Sequence, residues 1–349
     1  MTHRAAAFAI PGDINTLTGG YIYERLLLDN LRALGHDVAH IPLGDTFPHP
    51  SASDMDHAIA ALTALDPNRA LILDGLVYGS IATEGLARVA CPIVAMIHHP
   101  LAKETGLSAA EQDHLFKTER DNLALAEAVL VPSPHTAQIL VTEYGVPADR
   151  ICIAQPGTDQ PGETRIPSDP PLILTVGIQH PRKGHDVLLR AFADMKSLRW
   201  RSVIAGSCHD PAYSQQLEDM IRDFDLTDRV TLAGNVPRDT LHQLYQQASV
   251  FALATRYEGY GMGFNEALTW GLPIVTCLTG AVPETVPKGA GILVEVDASK
   301  DIRVALERLL TEPDEHAAMA AASLNAGRGL PSWKDTAMVA SGVLNGLSV

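Results

Sequence analysis

Glu258 and Glu266 stand eight positions apart in the segment Arg-Tyr-Glu-Gly-Tyr-Gly-Met-Gly-Phe-Asn-Glu-Ala-Leu, residues 256–268. An apolar run at 250–255 precedes them and reads as a buried strand, and a helical pattern begins at about Met262. The first carboxylate therefore belongs to a glycine-rich loop at a strand's C-terminal end, and the second lies one turn inside the next helix. At 3.6 residues per turn, Glu266 can face back toward the helix start that the loop surrounds. Oriented backbone N–H groups at such a place suit a phosphate, and two carboxylates suit sugar hydroxyls. A solvated acid beside a helix-surface acid is the plainer reading of the pair taken alone.

Other segments carry chemistry of the same kind. The run Leu-Thr-Val-Gly-Ile-Gln-His-Pro-Arg-Lys-Gly-His-Asp-Val-Leu-Leu, 174–189, reads as strand, turn and helix start. Gly177 permits a close backbone turn there. Lys183 falls at a helix N-terminus, where a cation is locally unfavourable unless an anion such as a diphosphate joins it. A surface lysine is the alternative. Glu284 lies in Leu-Thr-Gly-Ala-Val-Pro-Glu-Thr-Val, 278–286, after another strand, a placement also common for an ordinary helix N-terminal acid. Gly19 and Gly20 follow the first strand and could bring backbone close to phosphate or sugar, although they lack GxGxxG spacing. His98 and His99 end the fourth strand, where a histidine can orient a hydroxyl or move a proton. His99, beside Pro100, is the more structural of the two. No His, Cys or carboxylate set has convincing metal-ligand spacing, and both the GxSxG elbow and the Walker loop are missing.

These residues need a scaffold that sets loops at strand ends, and the sequence supplies one. Apolar runs at 5–10, 38–41, 70–73, 93–97, 129–131 and 151–154 alternate with longer helical patterns such as 21–34. A stretch dense in Pro, Gly and Asp at 155–171 reads as a linker. The alternation then restarts with runs at 172–176, 203–205, 230–232, 250–254, 274–276 and 292–294. This is the pattern of two α/β domains with parallel sheets, whose ligands bind outside the strand C-termini. The expected division is an N-terminal domain over 1–160, a C-terminal domain over 161–330, and a final helical segment over 331–349 that docks back toward the first.

The composition agrees with a well-buried globular protein: 46% of residues are hydrophobic and 19% charged, and 349 residues exceed a single core. The net charge of −15 argues against nucleic acid and anionic lipid as partners. Residues 1–165 hold 10 basic against 20 acidic side chains, so the N-terminal half is the more acidic. No signal peptide and no apolar window long enough for a membrane span is visible, so a cytoplasmic protein without strong membrane association is expected. Cys91, Cys152, Cys208 and Cys277 are far apart and read as reduced core residues.

Taken in order, these segments resemble the retaining GT-B glycosyltransferases of the GT4 class (glycosyl transferases group 1). The resemblance rests on the Glu-x7-Glu pair Glu258 and Glu266, on Arg182, Lys183 and Gly184, and on the Gly-x-x-Pro-Glu loop from Gly280 to Glu284. Ala-Gln-Pro-Gly-Thr-Asp at 154–159 and Pro-Ser-Trp-Lys at 331–334 match as well. It implies two Rossmann-like doubly wound domains facing a central cleft. The C-terminal domain would bind a UDP-, GDP- or ADP-linked sugar, and the N-terminal domain a hydroxyl acceptor. Residue by residue, Lys183 would bind the diphosphate and Glu266 the ribose, while Glu258 would hold the transferred sugar. Gly177, Arg182, Gly259, Tyr260, Gly261, Met262 and Gly263 would line the donor. His98 matches the family's strand-end histidine near the transferred sugar, and Gly20 its glycine near the phosphate. Asn15, Thr18, Gly19 and His99 are acceptor-side candidates. One position departs: the family often has arginine where Ile178 stands, and Arg182 is the candidate to supply the missing charge.

The implied reaction is metal-independent front-face transfer of a hexose-type sugar with retention and without a cofactor, in cell-envelope, polysaccharide or glycoconjugate synthesis. Lys183 and helix N-termini would stabilise the departing diphosphate. A nucleotide-sugar epimerase of similar plan and a catalytically silent nucleotide-sugar-binding protein are the alternatives.

Overall fold

The computed structural model describes residues 3–347, so the expected domain ends at residues 1 and 349 lie outside the described residues. The chain divides into two compact units. One runs up to Gly157 and includes the segment from Pro331, and the other is Thr158–Leu330.

Each of the twelve apolar runs forms a strand. In the first unit these are β1 (Ala6–Pro11), β2 (Val38–Leu43), β3 (Ala70–Asp74), β4 (Ile93–Met96), β5 (Ala128–Val131) and β6 (Ile151–Ile153). They pair in parallel in the order β2-β1-β3-β4-β5-β6. The direction of winding reverses between β1 and β3, and sheets of this kind bind ligands beyond the strand C-termini at such a reversal. The helix Gly19–Ala33 follows β1 and buries Tyr23, Glu24, Leu27, Leu28 and Leu31. The helix Trp333–Gly346 packs beside it, and Trp333 meets Tyr23 edge-on at 5.5 Å between ring centres. Tyr23 also donates to the Ala154 carbonyl at 2.8 Å, and Thr336 to that of Gln155 at 2.6 Å.

In the second unit the strands are β7 (Leu172–Val176), β8 (Arg201–Ala205), β9 (Val230–Gly234), β10 (Ala248–Leu253), β11 (Ile274–Cys277) and β12 (Gly291–Val294). Their order, β12-β11-β10-β7-β8-β9, differs from that of the first sheet and places the reversal between β7 and β10. Side chains alternate between two apolar layers, Ile173 and Ile204 on one face and Leu172 and Leu174 on the other. Burial on both faces is why these strands read as continuous apolar runs.

Residues 158–171 belong to the second unit, and their backbone is tied down: the Ile166 and Ser168 amides donate to the Gln246 and Gln247 carbonyls at 2.9 and 3.0 Å. The four cysteines are free, with Cys91 and Cys277 buried and Cys152 half-buried. Cys208 is exposed, which corrects its reading as a core residue, because it lies in the loop beyond β8 and not in the strand. Among the described residues no helix is long and apolar enough to cross a membrane.

Candidate functional site

In the second unit the two loops at the β7/β10 reversal form one hydrogen-bonded structure. After β7 and Gly177, a single 3-10 turn, Pro181–Lys183, leads through Gly184 into the helix His185–Ala193. Gly184 has φ +64°, and a Cβ there would stand 1.9 Å from the Ala254 carbonyl oxygen, so only glycine lets the turn lie against the end of β10. The loop after β10 is bound to that turn from the other side. The Arg256 amide donates to the Arg182 carbonyl at 2.7 Å. The buried Thr255 hydroxyl bridges the Arg182 and Tyr257 carbonyls at 3.1 and 3.0 Å. Arg256 also forks onto Asp186 with two contacts of 3.0 Å and reaches Asp297 at 2.8 Å. Burial pushes the Asp186 carboxyl up, but its bonds from Arg256, Tyr213 and Arg190 more than offset this and hold it at about 2.

The result is a direct contact between two residues whose sequence positions are far apart. Lys183 Nζ donates to Glu258 Oε1 at 2.6 Å, and Arg182 Nη1 lies 3.9 Å from Glu258 Oε2 while donating to the Tyr257 carbonyl at 3.2 Å. Arg182 therefore turns toward the same carboxylate as Lys183. Burial alone would raise the Glu258 carboxyl, yet Lys183 and Arg182 together hold it below the ordinary range, so it is an anion. The Lys183 stem lies against Gly177, where a Cβ would stand 3.4 Å from Lys183 Cδ.

Gly280 fixes the Glu258 backbone. With φ +51° its Cα faces the Glu258 carbonyl so closely that a Cβ would come within 2.3 Å, and the Ala281 amide donates to that carbonyl at 2.9 Å. Glu284 lies in the one-turn helix Val282–Thr285 and is exposed; its neighbour Thr285 donates to the Tyr260 carbonyl at 2.8 Å.

The helix Met262–Thr269 starts at Gly261, φ +92°, so the amides of its first turn face the loop. Glu266 is half-buried and accepts a 2.7 Å bond from the Tyr245 hydroxyl. Burial raises the Glu266 carboxyl above its ordinary range, partly opposed by that bond. Buried Asn265 donates to Tyr260 at 2.7 Å and to Thr158 at 3.1 Å. Tyr245, Asn265 and Thr285 were not singled out from the sequence, and their partners are distant enough that no local pattern marks them.

In the first unit the loop after β1 places Asn15 and Gly19 exposed and Thr18 and Gly20 half-exposed. Asn15 closes an Asx turn on Asp13, and Gly19 and Gly20 open the helix Gly19–Ala33. A Cβ on Gly20 would stand 3.6 Å from the His98 ring, so these two predicted residues are brought together. His99 turns away to Glu104, 3.2 Å from Nε2 to Oε2. His98 instead faces two fully buried carboxyls that sequence spacing did not mark: Glu24, whose Oε1 is 3.5 Å from His98 Nε2, and Asp74 at the end of β3. The donor atoms of Glu24, Asp74 and His98 all lie within 4.8 Å of one another. Burial pushes Glu24 up to about 7 and Asp74 well above its ordinary value, the two being hydrogen-bonded to each other.

Comparison with known proteins finds matches at the level of family and fold. Residues 158–325 match the family described as glycosyl transferases group 1, and residues 77–160 match glycosyltransferase family 4, so the matched spans run unbroken from 77 to 325. The chain is 30% identical over 270 residues to the D-inositol 3-phosphate glycosyltransferase of Thermobifida fusca, an alignment covering 70% of this chain and 62% of that one. It is 28% identical to the protein of the same description from Rhodococcus opacus, over 70% and 60%. The chain thus spans about three fifths of the length of these relatives. Among solved structures, the sucrose-phosphate synthase of Thermosynechococcus elongatus superposes with TM-score 0.81 at 20% identity, covering 97% of this chain and 98% of that one. Anabaena HepE in complex with UDP and glucose superposes with TM-score 0.77 at 15% identity, over 99% and 100%. These likenesses establish the GT-B fold.

Proposed function

We infer the reaction from the premise that the chain belongs to the glycosyl transferases group 1 family. It transfers a hexose-type sugar from a nucleoside-diphosphate sugar to a hydroxyl acceptor with retention of configuration. The observation that carries this reading is the convergence of Lys183, Arg182 and Glu258 at the β7/β10 reversal. Two cations and the opening amides of the helix Met262–Thr269 suit a diphosphate, and the carboxylate they hold suits sugar hydroxyls.

Substrate binding redistributes these contacts. The diphosphate draws Lys183 and Arg182 toward its oxygens, leaving Glu258 to accept from the transferred sugar. As the bond to the anomeric carbon breaks, negative charge grows on the leaving phosphate, and the two fixed cations stabilise it. Arg182 thereby supplies the charge that Ile178 does not. Glu266, oriented by Tyr245, accepts from the nucleotide's ribose. His98 and Gly20 serve the transferred sugar and its phosphate, and the acceptor belongs to the first unit.

The test is a turnover screen with UDP-, GDP- and ADP-sugars, measuring released nucleoside diphosphate and reading the product's anomeric proton by NMR. The reading expects one donor to be consumed with its configuration kept. Inversion would refute the stereochemical assignment, epimerised donor would assign an epimerase, and inertness toward every donor would refute transfer.

A further inference from the structure

Glu24 and Asp74 occupy a position that packing alone does not account for. Each carboxyl is buried, and among the described residues neither is paired with Lys or Arg. Glu24 lies on the apolar face of its helix, in line with Leu27, Leu28 and Leu31. Asp74 accepts from the Leu76 amide at 2.9 Å and is hydrogen-bonded to Glu24. Two adjacent buried carboxylates without a cation would repel strongly, so the pair retains one proton between them at neutral pH. The other groups around it are His98 from the segment after β4 and Tyr21 from the same helix, with Asp13 and Asp45 beyond Tyr21.

The pair also presents an unfilled acceptor. Glu24 Oε1 and His98 Nε2 are both buried without a hydrogen-bond partner, and they face each other at 3.5 Å. A small tilt of the ring closes that gap. His98 is itself 23% exposed although Nε2 is buried, so the exposed part of the ring lies away from Glu24 and includes Nδ1.

We propose that Glu24 and Asp74 are positioning residues that act through His98: Glu24 accepts from Nε2–H, which fixes the imidazole in one tautomer and presents Nδ1 as a hydrogen-bond acceptor to the ligand. Asp74, hydrogen-bonded to the Glu24 carboxyl, holds that group in place and keeps the pair singly charged. The ring then takes a hydrogen bond from a sugar hydroxyl and offers none to it, which selects for a donor group at that point of the substrate. This assignment rests on the reading of His98 as facing the transferred sugar. Its first test does not depend on that reading.

The experiment is ¹⁵N NMR of histidine-labelled full-length protein at pH 8, with the His98 signals assigned through His98→Gln. Wild type should show Nε2 protonated and Nδ1 unprotonated. Glu24→Leu, which removes the acceptor, should give mixed tautomers, and Glu24→Gln, whose side-chain carbonyl can still accept, should restore the wild-type pattern. In turnover, Glu24→Leu should lower kcat by about ten- to a hundredfold with donor KM within about threefold, and Glu24→Gln should recover most of that loss. A wild-type His98 protonated on Nδ1 would overturn the proposal, as would equal tautomers in wild type and Glu24→Leu. Stoichiometric uptake of Mn²⁺ or Zn²⁺ abolished by Glu24→Leu would overturn it too, assigning the three side chains to a cation. If Glu24→Leu does not fold, the wild-type tautomer and that of Asp74→Asn decide the matter, because asparagine keeps the Leu76 contact and should keep Nε2 protonated. None of these spectra depends on the protein being a transferase, so a failed donor screen and a failed tautomer assignment remain separate results.

Discussion

Lys183 and Glu258 make the most informative pair to perturb, because each neutralises the other. Their side chains are 14% and 5% exposed, and their contact is 2.6 Å. Removing one partner of a buried pair strands the other charge at a cost of about 3–5 kcal/mol, whereas removing both is often close to neutral. Lys183→Met leaves Glu258 with Arg182 at 3.9 Å, so the loss falls near the low end, about 3 kcal/mol. Glu258→Gln strands a lysine with some access to solvent and should cost about 2 kcal/mol. The double variant should lie within about 1 kcal/mol of wild type, which makes the coupling energy about 5 kcal/mol. Urea denaturation of the four proteins closes the cycle. Additivity of the two single losses to within about 0.5 kcal/mol would refute the claim that the pair is a buried, mutually compensating unit.

The remaining predictions concern separate parts of the structure. Glu258→Gln should leave affinity for free nucleoside diphosphate unchanged or tighter by calorimetry, because Lys183 no longer has a competing anion, while turnover falls by about a hundredfold. Gly184→Ala should cost more than about 2 kcal/mol in denaturation, since the new Cβ meets the Ala254 carbonyl at φ +64°. Tyr245→Phe removes the hydroxyl that orients Glu266 and should weaken nucleotide binding about tenfold, with little change in kcat for saturating donor. Glu119 is fully buried, and burial pushes its carboxyl up to about 8, partly offset by bonds from the Leu101 amide and Tyr144. The folded protein therefore keeps a proton there that the unfolded chain loses above its ordinary value of 4.5, so stability falls as pH rises from about 4.5 to 8. Glu119→Gln should match wild type at pH 4.5 and exceed it by about 5 kcal/mol at pH 9, measured by urea denaturation.

Much of this architecture is legible in the chain. All twelve strands follow from short apolar runs, since a parallel sheet covered on both faces needs continuous Val, Ile and Leu and shows no alternation. Strand order is different: it depends on which crossover passes which edge, so the contrast between β2-β1-β3 and β10-β7-β8 leaves no mark in any one segment. Lys183 and Glu258 could each be picked out by loop position, but their mutual contact is a property of two crossing loops. Glu24 did leave a sign, a carboxylate on helical spacing with Leu27, Leu28 and Leu31, which a search for acids on apolar faces would have found. Asp74 left less, because an Asp directly after an apolar run also reads as an ordinary strand end.

The central claim is that the Lys183–Arg182–Glu258 convergence is a nucleotide-sugar site. Calorimetric titration of wild type and of Lys183→Met/Glu258→Gln with UDP-, GDP- and ADP-glucose tests it most directly, because the double variant should remain folded while losing the site's chemistry. The account predicts that wild type binds at least one of the three and that the double variant binds it at least tenfold more weakly. Equal affinity in the two proteins, or no binding of any of the three by wild type, would contradict it.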